Sequence, residues 1–342
     1  MSNRSNFWVQ LPAIGLPALL AASLAIFGLL LPGRFWSVGA FESMAFQMPE
    51  LGLLTLAMFL PFVSAGFNLA IIVTANITGI FMAWLWVNMV PSDAGTGLQI
   101  FWVALGLLGA MLIACLIGVL IGSLVAYVGV HPILTTLGFM TLIKGVGIFI
   151  TRGAPVSGMP PVVQFLGTGS FLGVPMPMVV FILTALAMLV LMNRTSFGKY
   201  VYMSGSNINA TYFSGIGTHR VIIGIYVISS LICVLAGLVM NARFNSARMG
   251  YGDSYLLLTV LAIIMGGADP LGGFGKVGGL VLALFVLQII STGLNLFGVS
   301  QHVSLAMWGA VLIFVLAAKF FNRRYYLPWA QRRAAGPDSC SV

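Results

Sequence analysis

Six Asp and Glu, fifteen Lys and Arg and three His in 342 residues leave few side chains able to do acid–base, nucleophilic or metal chemistry. A catalytic site needs several such groups converging on one pocket. Here His131 precedes a proline, His219 ends a basic loop and His302 opens the last apolar run, so the histidines form no evident cluster. Cys115 and Cys233 fall inside apolar runs and Cys340 in the tail, without metal-ligand spacing. No catalytic residue, metal site or cofactor is expected. One stretch, Gly273-Phe274-Gly275-Lys276-Val277-Gly278, fits the G-x-G-x-x-G pattern of dinucleotide sites. It lies between apolar runs with no βαβ unit around it, and no G-x-x-x-x-G-K-[ST] phosphate loop occurs in the chain. Its glycines, with the G-x-x-x-G pairs Gly118/Gly122 and Gly275/Gly279, are expected to serve sharp turns and close helix approach.

Uncharged polar residues carry the remaining chemistry. Asn68, Thr74, Asn76 and Thr78 punctuate the stretch after Pro61, and Asn295 follows near the end of a later apolar run. They are the candidates for a solute path, because a neutral polyol needs hydrogen-bond donors and acceptors rather than charges. The same residue types also act as glue between helices, worth ~0.6–2 kcal/mol each, and both roles stand open. Proton or ion coupling would require ionisable groups within the bilayer, each costing ~3 kcal/mol or more. Glu42, Glu50, Asp93, Asp253, Asp269 and Asp338 all fall outside the middles of the expected spans. Lys144 lies within one, where its ammonium either lines a water-filled cavity or snorkels to the nearer interface.

These residues must be positioned by membrane-spanning helices. The chain is 60% hydrophobic and 6% charged, against ~25% charged in a soluble domain, and its mean hydropathy is +1.08. Runs such as MLIACLIGVLIGSLVAYVGV do not alternate as barrel strands do. A hydrocarbon layer of about 30 Å takes ~20 apolar residues as a helix. Such runs lie near 11–31, 50–66, 69–90, 100–127, 132–150, 176–193, 221–240, 254–266, 277–297 and 302–320. The expectation is an all-α polytopic transmembrane bundle of about ten spans, one transmembrane domain over 1–342, with the first run retained rather than cleaved as a signal peptide. Positive clusters at Arg194, Lys199 and Arg220 and at Arg323, Arg324, Arg332 and Arg333 mark cytoplasmic segments, about 194–220 and the tail 321–342. Six runs precede the first cluster and four follow it, which puts both termini in the cytoplasm. The net charge of +9 is spread over loop ends, so lipid rather than nucleic acid is the expected neighbour. Trp84, Trp86, Trp102, Trp308 and Trp329 lie toward run ends and are expected as interfacial anchors.

The segment RTSFGKYVYMSGSNINATYFSGIGTHR, Arg194 to Arg220, is too apolar for a plain linker. Ser206 or Asn207 can cap a short helix and Gly215 can end it, while Ile208, Tyr212 and Phe213 supply side chains for a partner's groove. The same pattern suits a loop resting on lipid headgroups.

In this loop the chain resembles the permeases of the ribose/galactose/xylose class of ATP-binding-cassette importers, which include autoinducer-uptake subunits. The resemblance runs from His131-Pro132-Ile133-Leu134-Thr135-Thr136-Leu137-Gly138 through Phe197-Gly198-Lys199-Tyr200-Val201-Tyr202 and the positions Gly205, Asn207, Ala210, Thr211 and Ser214-Gly215-Ile216. It continues over Ala242-Arg243, Ser246-Ala247, Gly266-Gly267, Gly272-Gly273-x-Gly275-x-x-Gly278 and Gly293-Leu294-Asn295-Leu296-Phe297-Gly298-Val299. It implies a non-enzymatic path subunit in a bacterial inner membrane, working with cytoplasmic ATPase subunits, a second permease chain and an external sugar-binding protein. Asn207, Ile208, Ala210, Thr211, Tyr212, Ser214 and Gly215 then form the ATPase-coupling loop. Three charge-bearing sites of the family are lost: its early acid is Asn68, its coupling-loop Glu and Arg are Ile208 and Tyr212, and its E-L-D pattern is Leu256-Leu257-Leu258. These departures fit one half of a heterodimer whose partner keeps the charges. Branched-chain amino acids, urea or nucleosides are the alternative cargo, and an ATP-independent channel the alternative mechanism.

Overall fold

The computed structural model describes residues 11–91, 95–171, 173–300, 302–315 and 317; the tail 321–342, with its arginines, Trp329 and Cys340, lies outside the described residues, as does Asp93. The described residues are mainly helical, because in hydrocarbon each helix satisfies its own N–H and C=O groups. The elements are α1 (Leu11–Leu30), α2 (Pro32–Phe35), α3 (Val38–Val63), α4 (Ile71–Met89), α5 (Thr96–Ser123, extended by a π turn to Val128), α6 (Pro132–Thr151), α7 (Pro161–Thr168) and α8 (Met176–Arg194). They continue as α9 (Ser196–Ser206), α10 (Ile208–Phe213), α11 (Thr218–Phe244), α12 (Tyr255–Met265), α13 (Val277–Leu296) and α14 (His302–Val315). Two-residue strands tie down the far loops: β1 (Val156–Ser157) pairs antiparallel with β4 (Ser246–Ala247), and β2 (Ser170–Phe171) with β3 (Val174–Pro175).

Among the described residues, seven helices are long and apolar enough to cross a membrane: α3, α4, α5 with its π turn, α6, α8, α11 and α13. The other three expected spans are apolar helices of shorter described length, Leu16–Leu30, Tyr255–Met265 and His302–Val315. One boundary moves substantially. The run expected to begin at residue 50 begins at Val38, where Ser37 Oγ accepts from Ala40 N at 3.2 Å. Pro49 and Glu50 read as a boundary in sequence, yet both are absorbed in the helix interior. Glu50 consequently sits at the middle of a 26-residue spanning helix, fully buried, contrary to the expectation that no carboxylate would.

The centre of the bundle is α11, against which α3, α4 and α5 pack. Gly118 and Gly122 permit a close approach of α5 to α11: a Cβ at Gly118 would stand 2.6 Å from Val227 Cα, and one at Gly122 2.7 Å from Ile223 Cα. Small residues thus perform the packing role read for this pair. The Gly-rich segment between α12 and α13 is a loop, as expected. Gly273 N donates to Val63 O at the end of α3 (2.8 Å), and Tyr202 OH on α9 donates to Gly275 O (2.7 Å). The side bearing these contacts, called the loop side below, also carries α9 and α10. On the far side Lys144 Nζ meets Asp253 Oδ2 at 2.6 Å, both side chains about half exposed, so this ammonium has reached a partner at the helix end. Trp86 and Trp308 are buried within the bundle rather than standing at its rim; Trp86 Nε1 donates to Trp102 O at 3.2 Å.

Candidate solute path and coupling helix

Between α3 and α4 the chain turns back into the bundle through residues 64–70, with Ala65 at φ 62°. There Asn68, almost completely buried, donates from Nδ2 to Ser229 Oγ on α11 (2.9 Å) and accepts at Oδ1 from Ala70 N (3.1 Å). Ser229 Oγ in turn donates to Ala57 O on α3 at 2.7 Å. One neutral amide therefore joins three helices without burying a charge. Further along α4, Asn76 Nδ2 donates to Tyr251 O in the far loop (3.1 Å), and Thr78 Oγ1 bonds back to Thr74 O (2.7 Å). Asn241 of α11, not singled out in the sequence, completes the seam by donating to Gly79 O at 2.7 Å. Two buried hydroxyls on these packed helices, Thr74 Oγ1 and Ser230 Oγ, have no hydrogen-bond partner among the described residues. Asn68, Thr74, Asn76 and Thr78 thus share one seam, whereas Asn295 is exposed at the far end of α13 and apart from it.

A second buried polar group escaped the sequence reading. Arg243 Nη1, at the end of α11, stands 2.7 Å from Glu50 Oε1, and Tyr255 OH, at the start of α12, donates to Glu50 Oε2 at 3.2 Å. The Glu50 side chain is 0% exposed and that of Arg243 23%. The ion pair is close but poorly directed, so neither Glu50 Oε1 nor Arg243 Nη1 makes an aligned hydrogen bond. Opposite charge is what permits an acid at this depth, since an unpaired buried charge costs several kcal/mol. The available signal was Arg243 itself, a lone cation closing an apolar run.

On the loop side, Thr195 Oγ1 accepts from Gly198 N (3.2 Å) to start α9, and Asn207 Oδ1 accepts from Ala210 N (3.0 Å) to start α10. Asn207 is thus the cap that its residue type allows. Ser214 N closes on Ala210 O and Gly215 follows at φ 78°, a left-handed conformation that suits glycine. Thr211 is buried and its Oγ1 donates to Asn207 O (2.8 Å), while Ala210 and Ser214 are exposed. Ile208 is 47%, Tyr212 57% and Phe213 85% exposed, a contiguous apolar-aromatic surface on a helix of six residues.

Helices long enough to span a membrane surround a neutral polar seam, with an aromatic helix held outside the bundle at one end, an arrangement that suits a membrane permease. The family described as branched-chain amino acid transport system / permease component matches residues 40–316, and the chain belongs to it. Similar curated proteins include the autoinducer 2 import system permease protein LsrD of Salmonella typhi, 28% identical over 328 residues that cover 94% of this chain and 95% of that one. LsrD of Yersinia enterocolitica is 27% identical over 94% of this chain and 96% of its own. No solved structure matches.

Proposed function

We propose that the chain is the membrane-spanning subunit of an inner-membrane ATP-binding-cassette importer, forming the path for a monosaccharide or related polyol and driven by separate ATPase subunits. The observation that carries this reading is α10, whose Ile208, Tyr212 and Phe213 stand in the open while Thr211 and the Asn207 cap hold the helix in place. A short rigid helix with an aromatic tip suits a cleft in a cytoplasmic partner. Movement of α10 would be passed through α9 to the Gly275 loop by Tyr202, and from Gly273 to Val63 of α3. Helix α3 carries Glu50, so the same rigid element reaches the ion pair with α11. Sliding of α4 against α11 would then uncover Thr74 and Ser230, the hydroxyls with bonding capacity to spare, beside Asn68, Asn76 and Thr78. Such alternation between two packings is how a closed bundle opens to either side.

An external binding protein supplies the solute in this scheme, and the termini lie in the cytoplasm with α10. The neutral residues Asn68, Ile208 and Tyr212, where the resembling permeases carry charge, favour pairing with a second, charged permease chain. The family's description favours a second cargo class, branched-chain amino acids. Against it, Glu50 and Arg243 are occupied with each other and present no free pair for a zwitterion. Isolation of the chain in mild detergent tests the proposal: an ATPase and a second permease are expected to co-purify, with hydrolysis stimulated by a sugar-loaded binding protein. A stable homodimer that couples to the ATPase would remove the heterodimer, and stimulation by leucine alone would replace the sugar.

A further inference from the structure

Resting on that reading, we propose that residues 245–254, the far-side connection between α11 and α12, form a strap that covers the solute path at Asn76, with the Lys144–Asp253 ion pair as its latch. Both ends of the strap are pinned to one carboxylate: Arg243, just before it, and Tyr255, just after it, meet Glu50 of α3 at 2.7 and 3.2 Å. The first half is fixed. Ser246 and Ala247 pair with β1, Asn245 Oδ1 accepts from Met159 N (3.0 Å), and Met249, 7% exposed, closes over Gly147 of α6, where a Cβ would collide with it. The second half is held differently. Tyr251 O accepts from Asn76 Nδ2 at 3.1 Å, Tyr251 OH shares a hydrogen bond with Ser246 Oγ at 2.9 Å, and Asp253 Oδ2 meets Lys144 Nζ at 2.6 Å.

The two sets of contacts differ in what breaking them costs. An ion pair whose side chains are 41% and 48% exposed exchanges its partner for water at little cost, whereas the buried carboxylate of Glu50 has no solvent to replace Arg243. Gly250 and Gly252 flank Tyr251 at φ 98° and 74°, a left-handed region that carries no steric penalty for glycine, so the chain can turn at both points. Opening the latch therefore swings 250–254 while 245–249 and both ends stay in place. Asn76 is 5% exposed, with its amide committed to Tyr251 O. Lifting the strap frees that amide for a solute hydroxyl, whose oxygen takes the place of the peptide carbonyl as acceptor. Because Lys144 stands on α6 and Asn76 on α4, displacement of either helix in the transport cycle pulls on the strap.

The test uses the co-purified complex in lipid nanodiscs and reads amide hydrogen exchange with and without vanadate trapping of the ATPase. Exchange at 250–254 is expected to differ between the nucleotide-free and trapped states. In Asp253→Asn without nucleotide it is expected to rise about threefold, as loss of an exposed ion pair allows, while 245–249 and α3 keep their native protection. A second readout follows the covered residue. With Cys115, Cys233 and Cys340 replaced by alanine, the thiol introduced by Asn76→Cys lies under the strap, and a membrane-impermeant methanethiosulfonate is expected to label it about threefold faster when Asp253→Asn is added. Equal exchange at 250–254 in both states, a rise in Asp253→Asn that spreads into 245–249 and α3, or a labelling rate indifferent to Asp253→Asn overturns the strap. Vanadate trapping beside any of these results rejects the strap and leaves the permease reading standing; a complex that holds no ATPase rejects that reading and the strap with it.

Discussion

Glu50 is the residue on which the account is most exposed to test. Its charge is tolerated at the middle of α3 because Arg243 lies 2.7 Å away, and removing one partner leaves the other buried and uncompensated. Glu50→Gln is expected to destabilise the protein by about 3 kcal/mol, read as a lower unfolding midpoint in detergent, and Arg243→Gln to do the same. The double substitution Glu50→Gln with Arg243→Gln is expected to cost less than the sum of these singles; strictly additive losses would mean that the pair does not interact. Tyr202 is the second such residue. Burial pushes its phenol above its ordinary value, so the protonated donor to Gly275 O is retained across the neutral range. A raised pKa in the folded state means its contribution is complete below the ordinary value and lost as pH rises through the raised one. Tyr202→Phe is expected to cost about 1 kcal/mol and to lower solute-stimulated hydrolysis, with no change between acidic and neutral pH. The path candidates were legible as neutral polar residues in an apolar stretch, but Glu50–Arg243 was not, because an ion pair between residues so distant in sequence has no local pattern, and Pro49 beside Glu50 imitated a helix boundary.

At the scale of elements, the two local devices visible in the sequence are a small-residue seam and a capped helix. Gly118 faces Val227 Cα, so Gly118→Leu is expected to force α5 off α11 at a cost of about 1–3 kcal/mol, with a matching fall in folded yield. Leu116, exposed on the same helix, should accept alanine with little change. Asn207→Ala removes the acceptor of the Ala210 N–H and is expected to cost about 1 kcal/mol locally, seen as faster hydrogen exchange in 208–213 while the spanning helices keep their protection. These elements were readable because G-x-x-x-G spacing and an N-cap followed by a glycine stop are local rules. The turn through 64–70 was not, since Asn68 is held by Ser229, itself bonded to Ala57 O, and the fold brings both beside it.

For the whole molecule, composition alone defined a helical membrane protein, and the apolar runs located its helices. Length decided less cleanly: α12 has 11 residues, too few to cross a layer of about 30 Å at 1.5 Å per residue, and it turns back through the Gly-rich loop that docks on α3 and α9. That loop joins the bundle to α9, the helix that leads into α10, and the exposed face of α10 is the surface proposed to couple to the ATPase. The most direct test is to co-purify the complex carrying Tyr212→Ser with Phe213→Ser and compare it with the native chain. Both side chains are exposed, so the fold should be unaffected. The account predicts unchanged expression and melting but loss of the bound ATPase, or of solute-stimulated hydrolysis if it stays bound. Full ATPase retention and stimulation in this double variant would contradict it.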